Sequence, residues 1–354
     1  MNPGDGRPVL VTGGAGFIGC NLADRLAALG HRVRVYDSLQ RPGVAANLEW
    51  LRARHRDRIE AVTADIRDAD TLADAAGDCQ AVFHLAAQVA VTTSLVDPRA
   101  DFAVNALGTL NLLEALRRRS PAPPVIFAST NKVYGDLADI ALEDASGAWL
   151  PRDPELRRDG IGERRPLDFH TPYGCSKGAA DQYVLDYARS FGVPAAVLRM
   201  SCIYGEHQRG TEDQGWVAHF LLRAVAGEPI TIYGDGRQVR DILHVGDAVA
   251  AYIAAWQRIE AIAGRAFNLG GGPANAVSLR QVVAEIEAVL GRRVPLDFAG
   301  WRPGDQRWFV CDTRAAAAAL GLARPLGWRA GLARLAAWFR SERSAASPVL
   351  EAAQ

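Results

Sequence analysis

Lysine is scarce in this chain of 354 residues. Lysine and arginine together number 40, and only Lys132 and Lys177 are lysines. Positions that keep lysine in so arginine-rich a chain are candidates for a task that arginine performs poorly. The 40 basic residues balance 40 aspartates and glutamates. With no net charge, neither nucleic acid nor an anionic membrane is expected as a partner.

Long apolar runs, clustered cysteines and an N-terminal signal pattern are also lacking. No apolar run reaches the ~18–20 residues that a membrane-spanning helix needs, so we expect no membrane segment. The chain does not begin with a basic stretch followed by an apolar one, so we expect no secretory signal. The five cysteines are odd in number and scattered. They predict reduced thiols, no metal site and a cytoplasmic location.

Short apolar runs and helical patterns alternate through the first half of the chain. Such alternation is typical of βαβ units, in which a parallel sheet carries helices on both faces. The sequence therefore predicts an α/β fold with a doubly wound parallel sheet. The strand candidates are residues 9–12, 32–36, 59–63, 81–85, 125–129 and 193–199, and the clearest helices are residues 17–29, 98–118 and 176–190.

The second half has shorter elements, broken by glycine, proline and aromatic residues. We expect residues 201–340 to form a smaller α/β substrate-binding lobe that is interleaved with the first half and borrows strands from it. Residues 1–200 then form the larger domain, and residues 341–354 form a flexible tail. Residues 136–166 are rich in proline, glycine and charge, and are expected to be a long loop.

A glycine-rich turn joins the first strand to the first helix. Gly13, Gly16 and Gly19 allow a tight turn and bring backbone N–H groups close to a pyrophosphate at the helix N-terminus. Asp37 ends the second strand, where a carboxylate binds the adenosine ribose of a dinucleotide, although a turn or cap residue would look the same. The glycine-rich turn after the first strand and the carboxylate at the end of the second strand together predict a Rossmann domain.

The cofactor of such a domain is NAD or NADP. Asp37 repels a 2′-phosphate and so favours NAD, whereas the nearby Arg41 would favour NADP. Asp65 closes the third strand, where an adenine would lie, although a capping role explains Asp65 as well. We predict NAD. The predicted cofactor contacts are Gly13, Gly16, Phe17, Ile18, Gly19, Asp37, Ser38, Asp65, Ile66, Leu85, Ala86, Ala87, Tyr173 and Lys177.

Candidate catalytic residues lie at a strand end and on a later helix. Tyr173 and Lys177 are four residues apart, so a helix starting near Pro172 places them on one face. A nearby ammonium favours the phenolate form of a tyrosine, which could then act as a base. Thr130 follows the fifth strand, and its hydroxyl could form a hydrogen bond to a substrate oxygen that lies between Thr130 and Tyr173. The alternative for Tyr173 and Lys177 is a pair on the surface of a helix, and the alternative for Thr130 is a hydroxyl that stabilises a turn.

The glycine turn, Asp37, Thr130, Tyr173 and Lys177 together resemble the extended short-chain dehydrogenase/reductases that modify nucleotide sugars. The resemblance extends over residues 8–340. Within that family, residues 129–137, 168–192, 213–217 and 304–307 are similar to the branch that inverts C2 of a CDP-linked deoxyhexose, of the CDP-paratose to CDP-tyvelose type. The resemblance implies bound NAD, transient oxidation of the sugar to a keto sugar, and return of the hydride to its other face.

The resemblance also implies contacts to the substrate. Residues 234–247 are similar to a diphosphate clamp in which Arg240 grips the pyrophosphate, and Arg302 and Asp305 complete the phosphate and ribose contacts. Cys202 stands where many relatives have an asparagine. The 2-epimerase branch also lacks that asparagine. The predicted substrate contacts are Gln88, Thr93, Thr130, Asn131, Lys132, Cys202, Tyr233, Arg240, Arg302 and Asp305.

The residues after Thr130 separate the possible reactions. Dehydratases of this family carry an Asp-Glu pair there, whereas this chain has Asn131 and Lys132, which argues against dehydration. We therefore predict an isomerase, an NAD-dependent epimerase of a nucleotide sugar that is CDP-linked, and the resemblance implies a homodimer. Two alternatives stay open: a 4-epimerase of a UDP-sugar or UDP-hexuronate, and a non-catalytic NAD-binding regulator.

Overall fold

The computed structural model describes residues 6–351, with side chains described for residues 6–342. Among the helices of that part of the chain, none combines the length and the apolar character that crossing a membrane requires. The strands in chain order are β1 (Val9–Thr12), β2 (Val33–Asp37), β3 (Ile59–Thr63), β4 (Ala81–His84), β5 (Val125–Thr130), β6 (Leu142–Ala145), β7 (Ala148–Pro151), β8 (Ala195–Met200), β9 (Cys202–Tyr204), β10 (Ile230–Tyr233), β11 (Val239–His244), β12 (Arg265–Leu269), β13 (Ala276–Ser278), β14 (Leu296–Ala299) and β15 (Trp308–Phe309).

The helices in chain order are α1 (Phe17–Ala28), α2 (Val44–His55), α3 (Ala69–Ala76), α4 (Val91–Val96), α5 (Pro98–Phe102), α6 (Gly108–Arg117), α7 (Pro154–Asp159), α8 (Thr171–Phe191), α9 (Trp216–Ala226), α10 (Val245–Gln257), α11 (Ile259–Ile262), α12 (Leu279–Leu290), α13 (Arg314–Leu320) and α14 (Trp328–Glu351). A π-helical turn, Ala103–Leu107, connects α5 to α6, and a 3₁₀ turn, Asn131–Tyr134, follows β5.

A seven-stranded parallel sheet forms the centre of the larger part of the molecule. Its strand order is β12-β8-β5-β4-β1-β2-β3. β1, β4 and β5 are buried along their whole length, which is why they appear in the sequence as continuous apolar runs. The predicted α/β class with a doubly wound parallel sheet is confirmed.

Helices cover both faces of this sheet. On one face α1 and α10 bury side chains such as Leu22 and Tyr252. On the other face α3, α6 and α8 bury side chains such as Leu112 and Val184. Each large apolar side chain that is buried in this way contributes about 1.5–3 kcal/mol to folding.

The strand order reverses beside β1. The chain moves outward from β1 through β2 to β3 and then returns to place β4 on the other side of β1. At such a reversal the connections diverge, and a crevice is left at the carboxyl ends of the strands. The ends of β1, β2 and β4 meet there, with Thr12 paired to Tyr36 and to His84.

The smaller part is built on a sheet in which β11 is central. β11 pairs with β13, β15 and β9. Helices α9, α12 and α14 pack nearby through side chains such as Leu221, Ile286 and Leu335. The next strand, β12, instead lies beside β8 in the large sheet. The borrowing therefore runs opposite to the expectation, because the first half takes a strand from the second.

Residues 136–166 are not a loop, contrary to the expectation from their composition. β6 and β7 form an antiparallel hairpin, and α7 follows them. Trp149 N donates to Arg237 O, and Ile161 forms a bridge with Cys311. Ile161 packs in one apolar cluster with Phe309 of β15. Contacts with the smaller lobe, rather than local composition, order this segment.

Three helical regions also differ from the prediction. The helix predicted over 98–118 is interrupted by the π-helical turn between α5 and α6. Helix α14 continues beyond residue 340 to Glu351, so part of the expected tail is helical. Residues 352–354 of that tail lie outside the described residues. Helix α9, which begins after Gly215, was not predicted.

Candidate active site

A cavity of about 870 Å³ opens where the strand ends of the large sheet face the smaller lobe. Every residue predicted as a cofactor, substrate or catalytic contact lies in its wall. Residues from widely separated parts of the sequence are thus brought together at one place. Their individual roles stay predictions.

Glycines shape the end of the cavity next to β1. A side chain on Gly13 would place its Cβ 2.7 Å from Ala86 N, and one on Gly19 would place its Cβ 2.1 Å from Gly13 O. Helix α1 begins here with neither a side-chain cap nor an acidic residue in its first turn. The N–H groups and partial positive charge of its N-terminus are therefore suited to a pyrophosphate.

Asp37 is fixed at the end of β2. Its Oδ2 accepts a hydrogen bond from Ala15 N at 3.1 Å, and its Oδ1 accepts one from Leu39 N at 2.9 Å. The carboxylate is held beside the glycine turn, where it can also accept from ribose hydroxyls. Arg41 lies in the same wall. Burial lowers the pKa of Arg41, and Asp37 raises it.

The structure leaves both interpretations of Asp65 open, the adenine contact and the turn-capping residue. Asp65 lies in the cavity wall after β3. Its Oδ1 also accepts from Arg67 N at 2.9 Å, as a turn-capping residue does. The side-chain hydrogen bond from Arg67 lowers the pKa of Asp65 against an opposing effect of burial.

Thr130 and Tyr173 lie together in the wall of the cavity, where the Thr130 hydroxyl is near enough to act on the Tyr173 phenol. Thr130 ends β5, and Tyr173 lies in the first turn of α8, where the Tyr-Lys spacing predicted a helix start. Burial raises the pKa of Tyr173 to about 12, the nearby Thr130 hydroxyl lowers it, and Asp101 raises it. The direction is opposite to the one expected from the motif, because burial of the phenol outweighs its neighbours.

Lys177 lies one turn further along α8. Its Nζ donates to Ala128 O at 2.6 Å and lies 4.2 Å from the centroid of the Phe127 ring. Burial lowers the pKa of Lys177 to about 7, while Asp181 and Asp101 raise it. The ammonium is therefore directed at the end of β5, within the wall of the cavity.

A buried polar network behind Tyr173 was not predicted. Ser176 Oγ donates to Asp101 Oδ2, and Asn105 Nδ2 donates to Ser176 Oγ at 3.0 Å. Gln88 Nε2 donates to Asp101 Oδ1 at 2.9 Å, which connects the network to the cavity wall. Burial raises the pKa of Asp101, and the bonds from Ser176 and Gln88 lower it. The one available signal was a set of polar residues inside helical patterns.

Arg240 occupies the opposite wall, on β11. Its Nη2 donates to Asp305 Oδ1 at 2.6 Å, and its Nη1 donates to Val239 O at 2.7 Å. Arg240 is 6% exposed, so a guanidinium that is already paired with one carboxylate is held at the cavity surface. A pair of this kind places positive charge where a diphosphate could bind.

Arg302 lies further out, over an aromatic ring. Its guanidinium carbon is 3.8 Å from the centroid of the Tyr233 ring, and its Nη1 donates to Glu212 O at 2.8 Å. Tyr233 Oη donates to Glu212 Oε1 at 2.6 Å. Arg302 also lies 3.4 Å from Asp213 Oδ1. Sequence reasoning did not include Glu212 among the substrate contacts.

Asn131, Lys132 and Cys202 fill the wall between Thr130 and Arg240. Asn131 Nδ2 donates to Gln306 Oε1 at 3.1 Å, which ties the turn after β5 to the segment that carries Asp305. Lys132 Nζ donates to Gly304 O at 2.9 Å in the same segment. Burial lowers the pKa of Lys132 to about 8 and Arg240 adds to this effect, while Asp305, Cys202 and Asp136 raise it.

Cys202 accepts a hydrogen bond at its Sγ from Trp216 Nε1, at 3.4 Å. Burial raises the pKa of the Cys202 thiol. Thr93, on α4, lies in the wall near the strand end of β4. Among the residues that the structure describes, no group of three or more His, Cys, Asp or Glu side chains is placed to hold a metal ion.

Comparison with known proteins agrees with this geometry. The NAD dependent epimerase/dehydratase family model matches residues 9–270. The chain is 40% identical to a CDP-paratose 2-epimerase of Salmonella typhi, over 94% of the chain and 99% of that protein. It is 34% identical to a UDP-glucose 4-epimerase of Mycolicibacterium smegmatis, over 94% of the chain and 98% of that protein.

A solved structure is similar over nearly the whole fold. It is the UDP-glucuronic acid 4-epimerase of Bacillus cereus in complex with UDP-glucuronic acid and NAD, with a TM-score of 0.81 and 26% identity. The similarity covers 94% of this chain and 99% of that one. The chain belongs to the NAD dependent epimerase/dehydratase family.

Family membership confirms the prediction of NAD as the cofactor and of an extended short-chain dehydrogenase/reductase. The residues present fit that cofactor. The uncapped N-terminus of α1, the glycine positions at which a Cβ would clash, and the carboxylate of Asp37 together form a cradle for a dinucleotide.

Proposed function

We propose that this chain inverts C2 of a CDP-linked deoxyhexose, with NAD held in the larger lobe and the nucleotide sugar held mainly by the smaller lobe. The observation that carries the proposal is the cavity wall between Thr130 and Arg240. It joins a hydroxyl pair to buried cations, and Asn131 and Lys132 stand where a dehydratase would have carboxylates. The 40% identity to a CDP-paratose 2-epimerase supports C2 and cytidine.

The residues of the chain supply binding and proton movement. NAD would be held by the N-terminus of α1 and by Asp37, and when bound it would supply the reversible hydride transfer. Tyr173 Oη takes the proton from the reacting hydroxyl and later gives it back, while Thr130 Oγ1 bonds the same oxygen and positions it. In its protonated form, Lys177 contributes positive charge that favours the phenolate.

Dehydration is disfavoured by the side chains that follow Thr130. Elimination of water from a sugar needs a group that removes a carbon-bound proton and a group that protonates the departing hydroxyl. Asn131 is bonded to Gln306, and Lys132 to Gly304. Neither is a carboxylate, so the wall retains only what a redox-neutral epimerisation requires.

The second candidate is C4 epimerisation of a UDP-sugar or UDP-hexuronate. It is favoured by relatives such as the UDP-glucose 4-epimerase of Mycolicibacterium smegmatis, and by the fold similarity to the UDP-glucuronic acid 4-epimerase of Bacillus cereus. The two candidates differ in the base, in the reacting carbon and in the sugar. A substrate screen separates them.

The test is turnover of CDP-, UDP-, GDP- and dTDP-sugars by the purified protein with bound NAD. We expect a CDP-linked deoxyhexose to be converted, with NMR showing inversion at C2. The Tyr173→Phe variant should lose about 10²- to 10⁴-fold in kcat and keep its NAD, because only the proton carrier is removed. Tyr183→Phe, on the exposed side of the same helix, is the matched control.

Three results would contradict the proposal. Inversion at C4 of a UDP-sugar would establish the second candidate. Undiminished turnover by Tyr173→Phe would refute the proton role of Tyr173. An equal loss in Tyr183→Phe would show that α8 had been disturbed.

We also propose that the protein is a cytoplasmic homodimer. The exposed sides of α4, α5 and α8 carry large apolar side chains, which a monomer rarely leaves in contact with water. They are Leu95 and Val96 on α4, Phe102 on α5, Phe191 on α8 and, in the π-helical turn that follows α5, Leu107. The resemblance to the family implies dimerisation through the helices at residues 98–118 and 176–190, and Phe102 and Leu107 lie in the first of these regions. The five free cysteines suit a reducing compartment.

A further inference from the structure

Lys132 is a cation placed beside another buried cation. Its Nζ donates to Gly304 O at 2.9 Å. The next residue, Asp305, accepts from Arg240 at 2.6 Å. Lys132, Arg240 and Asp305 all line the cavity. At this point the wall therefore presents two cations and one carboxylate.

The other ionisable groups near Lys132 do not neutralise this excess. Cys202 is a buried thiol whose pKa is raised by burial, so it is uncharged at neutral pH. Asp136 shares the His170 imidazole with Asp168, at 3.0 Å and 3.1 Å, and it raises the pKa of Lys132 less than Asp305 does. One positive charge in excess at a cavity surface is a site for an anion.

Anchoring the segment at Gly304 does not explain a lysine here. A single carbonyl acceptor can be bonded by a neutral donor, without placing a second cation beside Arg240. Within the described residues, Gly304 O is the acceptor that Lys132 Nζ contacts, and an ammonium has three donors. The remaining donors are available to a ligand in the cavity.

The position of Lys132 along the cavity is also informative. Its backbone N donates to Thr130 Oγ1 at 3.2 Å, whereas its ammonium reaches the segment that carries Asp305. A ligand that extends from Arg240 to the Thr130–Tyr173 pair therefore passes Lys132. In a nucleotide sugar, the group between the nucleotide and the reacting hydroxyl is the sugar-linked phosphate.

We propose that Lys132 binds the sugar-linked phosphate of the substrate and thereby places C2 of the sugar at Thr130 and Tyr173. C2 is bonded to the carbon that carries this phosphate, whereas C4 lies across the ring. A cation that holds the phosphate close to Thr130 therefore brings C2, and not C4, to the hydroxyl pair. This inference rests on the proposed function, since it explains how that function selects its carbon.

Binding of CDP and CMP to the NAD-loaded protein tests the phosphate contact. CDP has the second phosphate and CMP lacks it. Lys132→Gln should weaken CDP about 10- to 100-fold, as expected for a lost hydrogen bond to a charged group, and leave CMP unchanged within about two-fold. Lys132→Arg, which keeps the charge, should keep more of the CDP affinity than Lys132→Gln.

Calorimetry on each variant supplies the measurement, and NAD content and circular dichroism confirm folding. Lys132→Met is a second neutral variant in case Lys132→Gln does not fold. Equal weakening of CDP and CMP, or no weakening of CDP, would overturn the contact. UDP and UMP are measured in parallel. Tighter binding of the uridine nucleotides would disprove the cytidine assignment, and the comparison of UDP with UMP would still test the phosphate contact of Lys132.

Steady-state kinetics test the placement of C2. Lys132→Gln should lower kcat for C2 inversion at least about 10-fold in addition to raising KM, because a misplaced carbon reacts slowly even when bound. A rise in KM with unchanged kcat would overturn the placement. Arg223→Gln removes an exposed positive charge that pairs with Glu228 outside the cavity, and should change neither value. An equal loss of kcat in Arg223→Gln would show that overall charge, and not the position of Lys132, causes the effect of Lys132→Gln.

Discussion

At the scale of single residues, Lys177 shows how burial sets a charge. Its ammonium is 3% exposed and has a carbonyl and an aromatic ring as its nearest partners. Asp181, one turn away, is occupied by Arg199 at 2.9 Å. Burial therefore lowers the pKa of Lys177 to about 7 in the cofactor-free folded protein, from 10.5 for an exposed lysine.

This shift makes stability depend on pH. Between about pH 7 and pH 10 the unfolded chain holds the lysine proton and the folded protein does not, so the free energy of unfolding of the cofactor-free protein should rise with pH through Lys177. The contribution reaches at most about 1.4 kcal/mol per pH unit. Urea unfolding at pH 7 and pH 9 measures it, and Lys177→Met should show a smaller rise. An equal rise in both proteins would contradict the assignment.

Cysteine ionisation in the unfolded chain acts in the opposite direction in the same range. The buried thiols Cys20 and Cys79 have raised pKa values, so they keep their protons when folded and lose them when unfolded. Both proteins share this effect. The difference between the wild type and Lys177→Met therefore isolates the lysine.

At the scale of elements, α8 is braced by a buried ion pair. Asp181, on α8, accepts from Arg199 Nε and Nη2, both at 2.9 Å, and from Ser129 Oγ at 2.7 Å. Arg199 lies on β8 and Ser129 on β5, so three elements meet at one carboxylate. The helix that carries Tyr173 and Lys177 is fixed to the sheet at this point.

Removing the carboxylate should destabilise the protein strongly. Asp181→Ala leaves the Arg199 guanidinium buried without its partner, and we expect a loss of about 3–5 kcal/mol in the free energy of unfolding. Denaturant titration measures the loss. Asp186→Asn, on the exposed side of the same helix, should change stability by less than about 0.5 kcal/mol. Similar losses in the two variants would contradict the bracing role.

The elements also show where sequence reasoning succeeds. Strands such as β1 and β5 are covered on both faces, so each is a continuous apolar run that stands out from its surroundings. The hairpin β6–β7 is only partly buried and has a composition like that of a loop. Its order depends on contacts such as Trp149 N to Arg237 O, which join positions far apart in the chain.

The residues of the site also divide into those that the sequence could predict and those that it could not. Residues at strand ends, such as Asp37 and Thr130, could be located once the strands were known, because parallel strands end at one edge. Asp101 could not, since its place behind Tyr173 depends on how α5 packs against α8. The upward shift of the Tyr173 pKa could not be predicted from the Tyr-Lys motif either, because a spacing of four residues contains no information about burial.

At the scale of the whole molecule, the apolar surface of α4, α5 and α8 should be covered by a second copy. Phe102→Glu places a charge in that surface and should convert the dimer into a monomer, as measured by sedimentation velocity. Phe298→Glu, on β14 of the smaller lobe, is the matched control because both side chains are 57% exposed. A wild-type monomer, or dissociation in the control alone, would contradict the proposal.

The two lysines give the protein an unusual chemical surface. Lys177 is buried, and Lys132 lies in the same cavity wall, so among side chains the amines of this chain are confined to one place. Reagents that acylate amines, which modify most proteins at many sites, would here meet only the chain terminus and the inside of the cavity. The rate of acylation at these two positions would then report directly on whether the cavity is filled.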